Sequence, residues 1–199
     1  FELTSTGFYD IFVSKLDATG NFLWAKNMGG IGADFGFAIC TDAIGNIYTT
    51  GEFQGGANAD FDPGIGVFNF ASAGGGEIFI SKLNPQGDFV WAQCISGNNY
   101  EDGRSIKVDA SENIYLTGNF AETADFDPSS GAFNLTSSGG DDIFVYKMSQ
   151  TSCATPNPPA NIVGNTNVSS GASETYSVTN DPTATSYIWN LPSGWSGTS

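Results

Sequence analysis

The feature that most constrains the fold of this chain is a tandem repeat with a period of 65 to 67 residues. Residues 10–16 read Asp-Ile-Phe-Val-Ser-Lys-Leu, and close variants of this heptad return at 77–83 and 142–148. The pentad Ala-Asp-Phe-Asp-Pro at 59–63 returns 65 residues later, at 124–128. A repeat of this length is typical of stacked supersecondary units, in which each unit buries its apolar face against the next.

Each repeat is predicted to be built from short β-strands and tight turns. The apolar stretches are rich in β-branched and aromatic residues, and Gly, Asn and Asp separate them. No window carries a sustained helical period. In the first full repeat these stretches occupy residues 11–13, 22–24, 37–39, 47–50 and 67–70.

Four main strands per repeat, joined by hairpins, describe a β-propeller blade. We therefore predict an all-β fold with about two complete repeats and part of a third over residues 1–149. The period exceeds the usual 40–50 residues of common blades, and the surplus falls in residues 54–76. Because residues 1–5 align with 133–137, the chain is expected to open late in a blade. A propeller needs 4 to 8 blades, so the others are expected upstream or in other copies of the chain.

A second region is predicted to follow the repeats. Residues 150–159 are small, polar and rich in Pro, which is typical of a linker. Residues 160–199 are predicted to begin an immunoglobulin-like β-sandwich, with strands at 174–178 and 186–191. Its candidate core residues are Tyr176, Tyr187 and Trp189.

The charge balance excludes several classes of partner. The chain has 21 acidic residues against 6 basic ones, no His, and a formal net charge of −15. Such a surface repels nucleic acid and anionic lipid, and no apolar run is long enough to span a membrane. Because there is no imidazole base and no recognisable nucleophile motif, we expect a protein that is not an enzyme.

Two acidic pairs are the candidate metal ligands. Asp60 and Asp62 recur as Asp125 and Asp127, and in an extended segment residues i and i+2 point to the same face. Carboxylates so placed repel each other unless they are protonated, hydrogen-bonded or bridged by a cation. Two interpretations stay open: a structural turn, or a calcium site of the all-oxygen kind.

Three lysines and two tryptophans hold equivalent repeat positions. Lys15, Lys82 and Lys147 are half of all basic residues, and we expect each to pair with a repeat carboxylate or to lay its stem on apolar surface. Trp24 and Trp91 are expected to be structural. Of the three cysteines, Cys40 and Cys94 are not repeated and are expected to be reduced and partly buried, and Cys153 is expected to be unpaired.

Residues 1–149 resemble the bacterial SBBP-type β-propeller repeat. The resemblance rests on the core Asp-Ile-Phe-Val-Ser-Lys-Leu-Asp-x-x-Gly-Asn-Phe-x-Trp-Ala and on the Ala-Asp-Phe-Asp-Pro-Gly loop. Residues 184–195 are similar to the start of a PKD-like module of the immunoglobulin type. Proteins that join these modules are large cell-surface or secreted proteins of Bacteroidota, exported by the type IX route. The resemblance implies an extracellular protein with an adhesive or scaffolding role.

Three functions follow from these observations. The first is a non-enzymatic binding or adhesion module that recognises a glycan or a protein at the cell surface. The second is a structural spacer that projects another adhesin domain, and the third is a propeller that cleaves glycosides with paired carboxylates. A binding module should cluster aromatic residues that are not repeated on one face. The non-repeated aromatic residues are Phe37, Tyr100 and Trp195.

Overall fold

The computed structural model describes residues 1–54, 58–72, 75–129 and 131–150, together with two short strands at 162–163 and 177–178. The chain divides into two compact units, Phe1–Gln150 and Thr151–Ser199. The described residues form strands and turns and contain no helix, as the sequence predicts. None of their segments is a helix that could span a membrane.

The first unit holds thirteen strands among its described residues. In chain order they are β1 (Ile11–Leu16), β2 (Phe22–Met28), β3 (Asp34–Thr41), β4 (Ile47–Gln54), β5 (Asn58–Asp60), β6 (Asn69–Ala71), β7 (Gly76–Leu83), β8 (Phe89–Gly97), β9 (Glu101–Val108), β10 (Asn113–Phe120), β11 (Thr123–Asp125), β12 (Asn134–Thr136) and β13 (Asp142–Ser149).

The long strands form three antiparallel sheets, which we number by their order in the chain. The first sheet is β1–β2, the second is β3–β4–β7–β8, and the third is β9–β10–β13. The second sheet contains the four main strands that the sequence predicts for one repeat. By repeat alignment, the first sheet holds equivalents of β7 and β8, and the third sheet holds equivalents of β3, β4 and β7.

The three sheets pack face to face, and the second sheet is buried on both sides. One apolar cluster joins the first sheet to the second, and another joins the second sheet to the third. Every residue of β7 is buried, although an isolated strand of this length would alternate between buried and exposed residues. The core therefore lies between the sheets, and each repeat depends on its neighbours for burial.

Glycines allow this close approach at equivalent places. A Cβ atom added to Gly36 would lie 3.2 Å from Cγ2 of Ile11, and one added to Gly103 would lie 3.1 Å from Cγ2 of Ile78. Gly36 and Gly103 are repeat equivalents, as are Ile11 and Ile78. Both contacts thus join one sheet to the next at the same repeat position.

The hairpin turns share one hydrogen-bond pattern. An Asx carboxylate or amide oxygen accepts the amides two and four residues later, as Asp42 does from Ile44 and Asn46. Gly45 closes this turn with φ of +89°. In the turn that starts at Asp109, Glu112 takes the glycine position with φ of +61° and keeps the same bonds. The turn therefore keeps its shape, and Glu112 adopts the left-handed backbone despite the cost of this conformation for a residue with a side chain.

The surplus residues of each repeat form a small hairpin that reaches back to the preceding sheet. The first such hairpin, β5–β6, lies between β4 and β7 in the chain and forms a two-stranded sheet of its own. The second, β11–β12, lies between β10 and β13 in the chain but pairs with β8, so it extends the second sheet. Gly29, just after β2, and Asp60 exchange two backbone hydrogen bonds of 2.9 Å. In the next repeat, Asp125 pairs with Ser96 of β8, and these two residues are the repeat equivalents of Asp60 and Gly29.

In the second unit, β14 (Ile162–Val163) pairs with β15 (Ser177–Val178) in antiparallel fashion. β15 overlaps the end of the strand predicted at 174–178. Of the linker predicted over 150–159, only Gln150 is described, and it belongs to the first unit. The strand predicted at 186–191 lies outside the described residues, as do Tyr176, Tyr187, Trp189, Cys153 and Trp195.

Phe61, the first residue of the loop between β5 and β6, tests whether this hairpin is part of the core. Phe61 is fully buried, whereas Phe8 is 81% exposed. Phe61→Ala is expected to lower the free energy of unfolding by about 3–5 kcal/mol, and Phe8→Ala by less than about 1 kcal/mol. Urea unfolding measures both, and equal effects of the two substitutions would contradict the packing described.

Candidate functional site

The carboxylates of the Asp-Phe-Asp motif accept hydrogen bonds from backbone amides of the inserted hairpin. Oδ1 of Asp60 accepts the amide of Asp62 at 3.0 Å and that of Phe68 at 2.8 Å. Asp125 accepts the amides of Asp127 and Phe133 at the same two distances. The first aspartate of each motif therefore ties the start of the loop to its end.

The second aspartate of each motif organises the loop that follows. Oδ1 of Asp62 accepts the amide of Gly64 at 2.8 Å, and Oδ1 of Asp127 accepts the amide of Ser129 at 2.9 Å. Hydrogen bonds from the Ser129 side chain and backbone lower the pKa of Asp127. All four carboxylates thus accept hydrogen bonds from backbone amides. Hydrogen bonding is one of the ways in which the repulsion between two close carboxylates can be offset.

The phenylalanine between the two aspartates anchors the hairpin in the core. The ring of Phe61 lies 5.5 Å from that of Phe53 and 5.0 Å from that of Phe79. Phe126 repeats this arrangement, with its ring 5.3 Å from Phe120 and 5.0 Å from Phe144. In each motif, therefore, two aspartates accept hydrogen bonds from loop amides, and the phenylalanine between them is buried in the core.

These bonds account for the repetition of the motif, and calcium binding stays a prediction. Among the residues that the structure describes, no group of three or more acidic, Cys or His side chains could hold a metal ion. Asp60, Asp62, Asp125 and Asp127 each have at least one oxygen engaged by a backbone amide.

Substitutions at Asp60 separate the structural from the metal interpretation. Asp60→Ala leaves two amides without their acceptor and is expected to cost about 1–3 kcal/mol. Asp60→Asn keeps an acceptor oxygen and should retain most of the stability. Thermal unfolding is measured with calcium and with a chelator, using exposed Asp141→Ala as the control. A calcium-dependent rise in Tm that Asp60→Asn abolishes would contradict the structural interpretation.

The repeated lysines reach from one sheet to the next. Nζ of Lys15 donates to the carbonyl of Pro85 at 2.7 Å, and Nζ of Lys82 donates to Oε1 of Gln150 at 3.0 Å. Pro85 and Gln150 are themselves repeat equivalents. Nζ of Lys147 lies 5.5 Å from the ring centroid of Tyr115. The salt bridge found among the described residues is Arg104–Asp102. The contacts of the three lysines are a carbonyl, a side-chain amide and an aromatic ring, not carboxylates.

The two repeated tryptophans are half-buried within the packed sheets. A Cβ atom on Gly87 would lie 3.1 Å from Cζ2 of Trp24, so this ring covers the turn of the following sheet. Trp91 meets Tyr48 edge-on, with ring centroids 6.3 Å apart. Both tryptophans thus contribute to packing.

Acidic side chains are buried where consecutive sheets meet, which sequence reasoning missed. Glu52, Glu77 and Glu101 are fully buried, and Asp34 is 1% exposed. Burial, with the nearby charge of Glu77, raises the pKa of Glu101 to about 7. Burial also raises the pKa of Asp34, the repeat equivalent of Glu101. The signal available in the sequence was that these two equivalent acids stand at the start of a strand that contains Gly two residues later.

Stability is expected to depend on pH through Glu101. Its folded-state pKa is about 7 against 4.5 for the unperturbed group, so the folded state binds the extra proton between these values. Stability is therefore full below about pH 4.5 and falls as the pH rises through 7, by on the order of 3 kcal/mol. Glu101→Gln should remove this dependence and be the more stable protein at pH 8.

Urea unfolding at a series of pH values measures this effect. Exposed Asp141→Asn removes one charge without touching the buried acids, and it should keep the dependence of the parent protein. A parent protein whose stability is constant between pH 5 and pH 8 would contradict the role assigned to Glu101.

The cysteines of the described residues are thiols in the packed interior. Cys40 and Cys94 are free and half-buried, as the sequence predicts. Burial raises the pKa of Cys94 to about 12, and nearby Glu77 and Glu101 act in the same direction. A thiol of this kind is a poor nucleophile at neutral pH, so Cys94 is not a candidate catalytic group.

A cluster of aromatic residues and one arginine lies on β3 and β9. The rings of Phe35 and Phe37 are nearly parallel, 6.0 Å apart, and Cζ of Arg104 lies 4.5 Å from the centroid of Phe37. Tyr9 lies against Phe35 at 5.4 Å, which extends the row of rings. Tyr9 is 62%, Phe37 38% and Tyr100 39% exposed.

Two acids hold the polar members of this cluster in place. Nε and Nη2 of Arg104 donate to the two carboxylate oxygens of Asp102, at 2.9 and 2.6 Å. The hydroxyl of Tyr100 donates to Glu52. Burial and this bond raise the pKa of Tyr100 to about 12. We call Tyr9, Phe35, Phe37, Tyr100 and Arg104 the aromatic–arginine cluster.

The cluster is formed by residues that the repeat does not preserve. Asp102 and Arg104 stand at the repeat positions of Phe35 and Phe37. Of the non-repeated aromatic residues named from sequence, Phe37 packs against Arg104, and Tyr100 donates to Glu52, the strand partner of Phe35. The sequence could indicate them singly, but it could not show that β3 and β9 lie side by side.

An open groove lies beside the second Asp-Phe-Asp loop, with a volume of about 490 Å³. Phe68 and Phe70 line one side, and Asp125 and Asp127 line another. Gln93 also lines it, and its Oε1 is buried with no hydrogen-bond partner among the described residues. The groove thus offers aromatic surface next to oxygen acceptors.

Comparisons with known proteins bear on the two units separately. Residues 155–199 match the family model of the PKD-like domain. The chain is 28% identical over 153 residues to an uncharacterized WD repeat-containing protein, L264, of Acanthamoeba polyphaga mimivirus. The match covers 72% of this chain and 11% of that much longer protein. The comparisons therefore support a PKD-like module at residues 155–199, and they show that the chain is similar to a repeat protein in general terms.

Proposed function

We propose that this chain is part of a non-enzymatic extracellular binding module, in which β-propeller blades of the SBBP type precede a PKD-like module. The ligand would be a glycan or a protein at a bacterial cell surface, and the site would be the aromatic–arginine cluster. The supporting observation is that Phe37 on β3 and Arg104 on β9, neither of which the repeat preserves, pack against each other, with Phe35 and exposed Tyr9 beside them.

The chemistry of the cluster suits a glycan or a peptide. Exposed aromatic faces bind the apolar faces of sugars or other side chains, and a guanidinium fixed by a carboxylate donates hydrogen bonds in a set direction. Aromatic residues and Arg are also the residue types that dominate binding energy at protein interfaces. Because Asp102 already orients Arg104, less side-chain entropy is lost on binding.

The order of strands supports the propeller assignment. The four long strands of the second sheet lie in the order β3–β4–β7–β8, as an antiparallel meander. Consecutive sheets stack face to face, and β3 and β9, the first strands of their sheets, lie close together. In a propeller these strands would be the innermost ones, and the cluster would then lie near the central channel.

A structural spacer is the other function that an observation favours. The groups that do repeat, namely the Asp-Phe-Asp loops, the lysines and the tryptophans, serve packing between sheets. A spacer would need nothing more. The chain has no His, and the aspartates of the two Asp-Phe-Asp motifs accept hydrogen bonds from backbone amides. Both observations support a non-enzymatic function over glycoside cleavage.

Binding of the full chain to an array of bacterial and host glycans, and to immobilised surface proteins, tests the proposal. We expect a signal that Phe37→Ser or Arg104→Gln reduces about 10-fold or more. Phe133→Ser is the matched control, because Phe133 is 61% exposed and holds a repeated position. A signal unaffected by Phe37→Ser and Arg104→Gln would contradict the site, and no signal with any probe would favour the spacer.

A further inference from the structure

The groove beside the second Asp-Phe-Asp loop is formed where two repeats meet. Phe68 and Phe70 come from the hairpin of one repeat, Gln93 comes from β8, and Asp125 and Asp127 come from the motif of the next repeat. Its volume of about 490 Å³ lies in the range of small-molecule sites. We call the site defined by these five residues the junction groove.

The junction groove offers hydrogen-bond acceptors without matching donors. Oε1 of Gln93 is buried and has no hydrogen-bond partner among the described residues. The two backbone amides bound by Asp125 both donate to Oδ1, so neither engages Oδ2. No Lys or Arg is among the described residues that line the groove. Because a buried acceptor without a donor costs free energy, a ligand that donates hydrogen bonds is favoured here.

Charge and aromatic surface specify the kind of donor. Asp125 and Asp127 bring two carboxylates to the groove, and hydrogen bonds that lower the pKa of Asp127 keep it ionised at neutral pH. Phe68 is 37% exposed. Ammonium and guanidinium groups form charge-assisted hydrogen bonds with carboxylates and are attracted to aromatic rings. These groups only donate, whereas the hydroxyls of a sugar also accept, so the surplus of acceptors favours an organic cation over a neutral sugar.

The preceding repeat carries a cation at the corresponding position. Lys26 of β2 is the repeat equivalent of Gln93, and the first Asp-Phe-Asp motif is the equivalent of the second. The first repeat therefore has a lysine of its own on the strand that ends beside its acidic motif, where Gly29 pairs with Asp60. In the second repeat a neutral amide replaces this lysine, so the cation would come from a ligand.

We propose that the junction groove binds an organic cation, namely an ammonium or guanidinium group on an alkyl stem. The carboxylates of Asp125 and Asp127 neutralise its charge, and Oε1 of Gln93 accepts one of its N–H groups. The rings of Phe68 and Phe70 contact the stem. The cation belongs either to a small molecule or to a Lys or Arg side chain of a partner protein. This site is separate from the aromatic–arginine cluster, so the inference does not rest on the proposed function.

Chemical-shift titration of the isotope-labelled full chain tests the proposal. Butylguanidinium stands for a small molecule, and a Gly-Arg-Gly peptide blocked at both ends stands for a side chain of a partner protein. We expect saturable shifts of the Gln93 side-chain amide and the Ser96 backbone amide, and weaker binding as the salt concentration rises. The probe that binds more tightly identifies the source of the cation.

Three variants locate the binding. Asp127→Asn keeps an acceptor for the amide of Ser129 but removes one charge, and it should weaken binding at least about 10-fold. Gln93→Lys copies the first repeat and should weaken binding to a similar extent, because its ammonium group competes with the probe. Asp62→Asn is the matched control: it makes the same change in the motif that does not line the groove, and it should bind as the parent does.

Several results would overturn the proposal. Equal weakening by Asp127→Asn and Asp62→Asn would show that the probes respond only to the net charge of the chain. A lack of saturable shifts with both cationic probes would also overturn it. Shifts of the same amides with methyl glucoside but not with the cations would replace it by a neutral sugar site, and shifts with calcium alone would replace it by a metal site.

Discussion

The burial of one sheet face against the next is the interaction on which the rest of the structure depends. A two- to four-stranded sheet has two faces and cannot cover either of them alone. The second sheet solves this by lying between two others, and all of its strand β7 is buried. Turns, glycines and lysines at repeated positions then serve the same purpose, because each of them brings consecutive sheets together.

The inserted hairpin adds a second connection of a different kind. Its backbone pairs with the end of the preceding sheet, through Gly29 and Asp60 in one repeat and through Ser96 and Asp125 in the next. The Asp-Phe-Asp motif makes the hairpin rigid enough to do this, with carboxylates on the loop amides and a phenylalanine in the core. Packing between faces is non-directional, whereas these hydrogen bonds fix the position of one repeat against the other.

Much of this fold could be predicted because the same structural unit occurs more than once, so that its pattern can be compared between repeats. Strand number, turn positions and the location of the surplus residues all follow from patterns local to one period. The pairing of Asp60 with Gly29 could not be predicted, because contacts between distant strands leave no local pattern. The burial of Asp34 and Glu101 was missed for another reason: an acid at the start of a strand is usually solvated, and nothing local in the sequence shows that these two are buried. The residues of the proposed site were visible as departures from the repeat, but their proximity depends on how β3 and β9 pack.

Amide hydrogen exchange of the native chain tests most directly the claim that the inserted hairpin joins consecutive repeats. The amides of Gly29 and Asp60 donate to each other's carbonyls and lie outside the long strands. The account predicts that they exchange as slowly as amides in the middle of β4, since both open only when the sheets separate. Exchange of Gly29 and Asp60 at the rate of exposed turn amides such as that of Thr19, with β4 still protected, would contradict it.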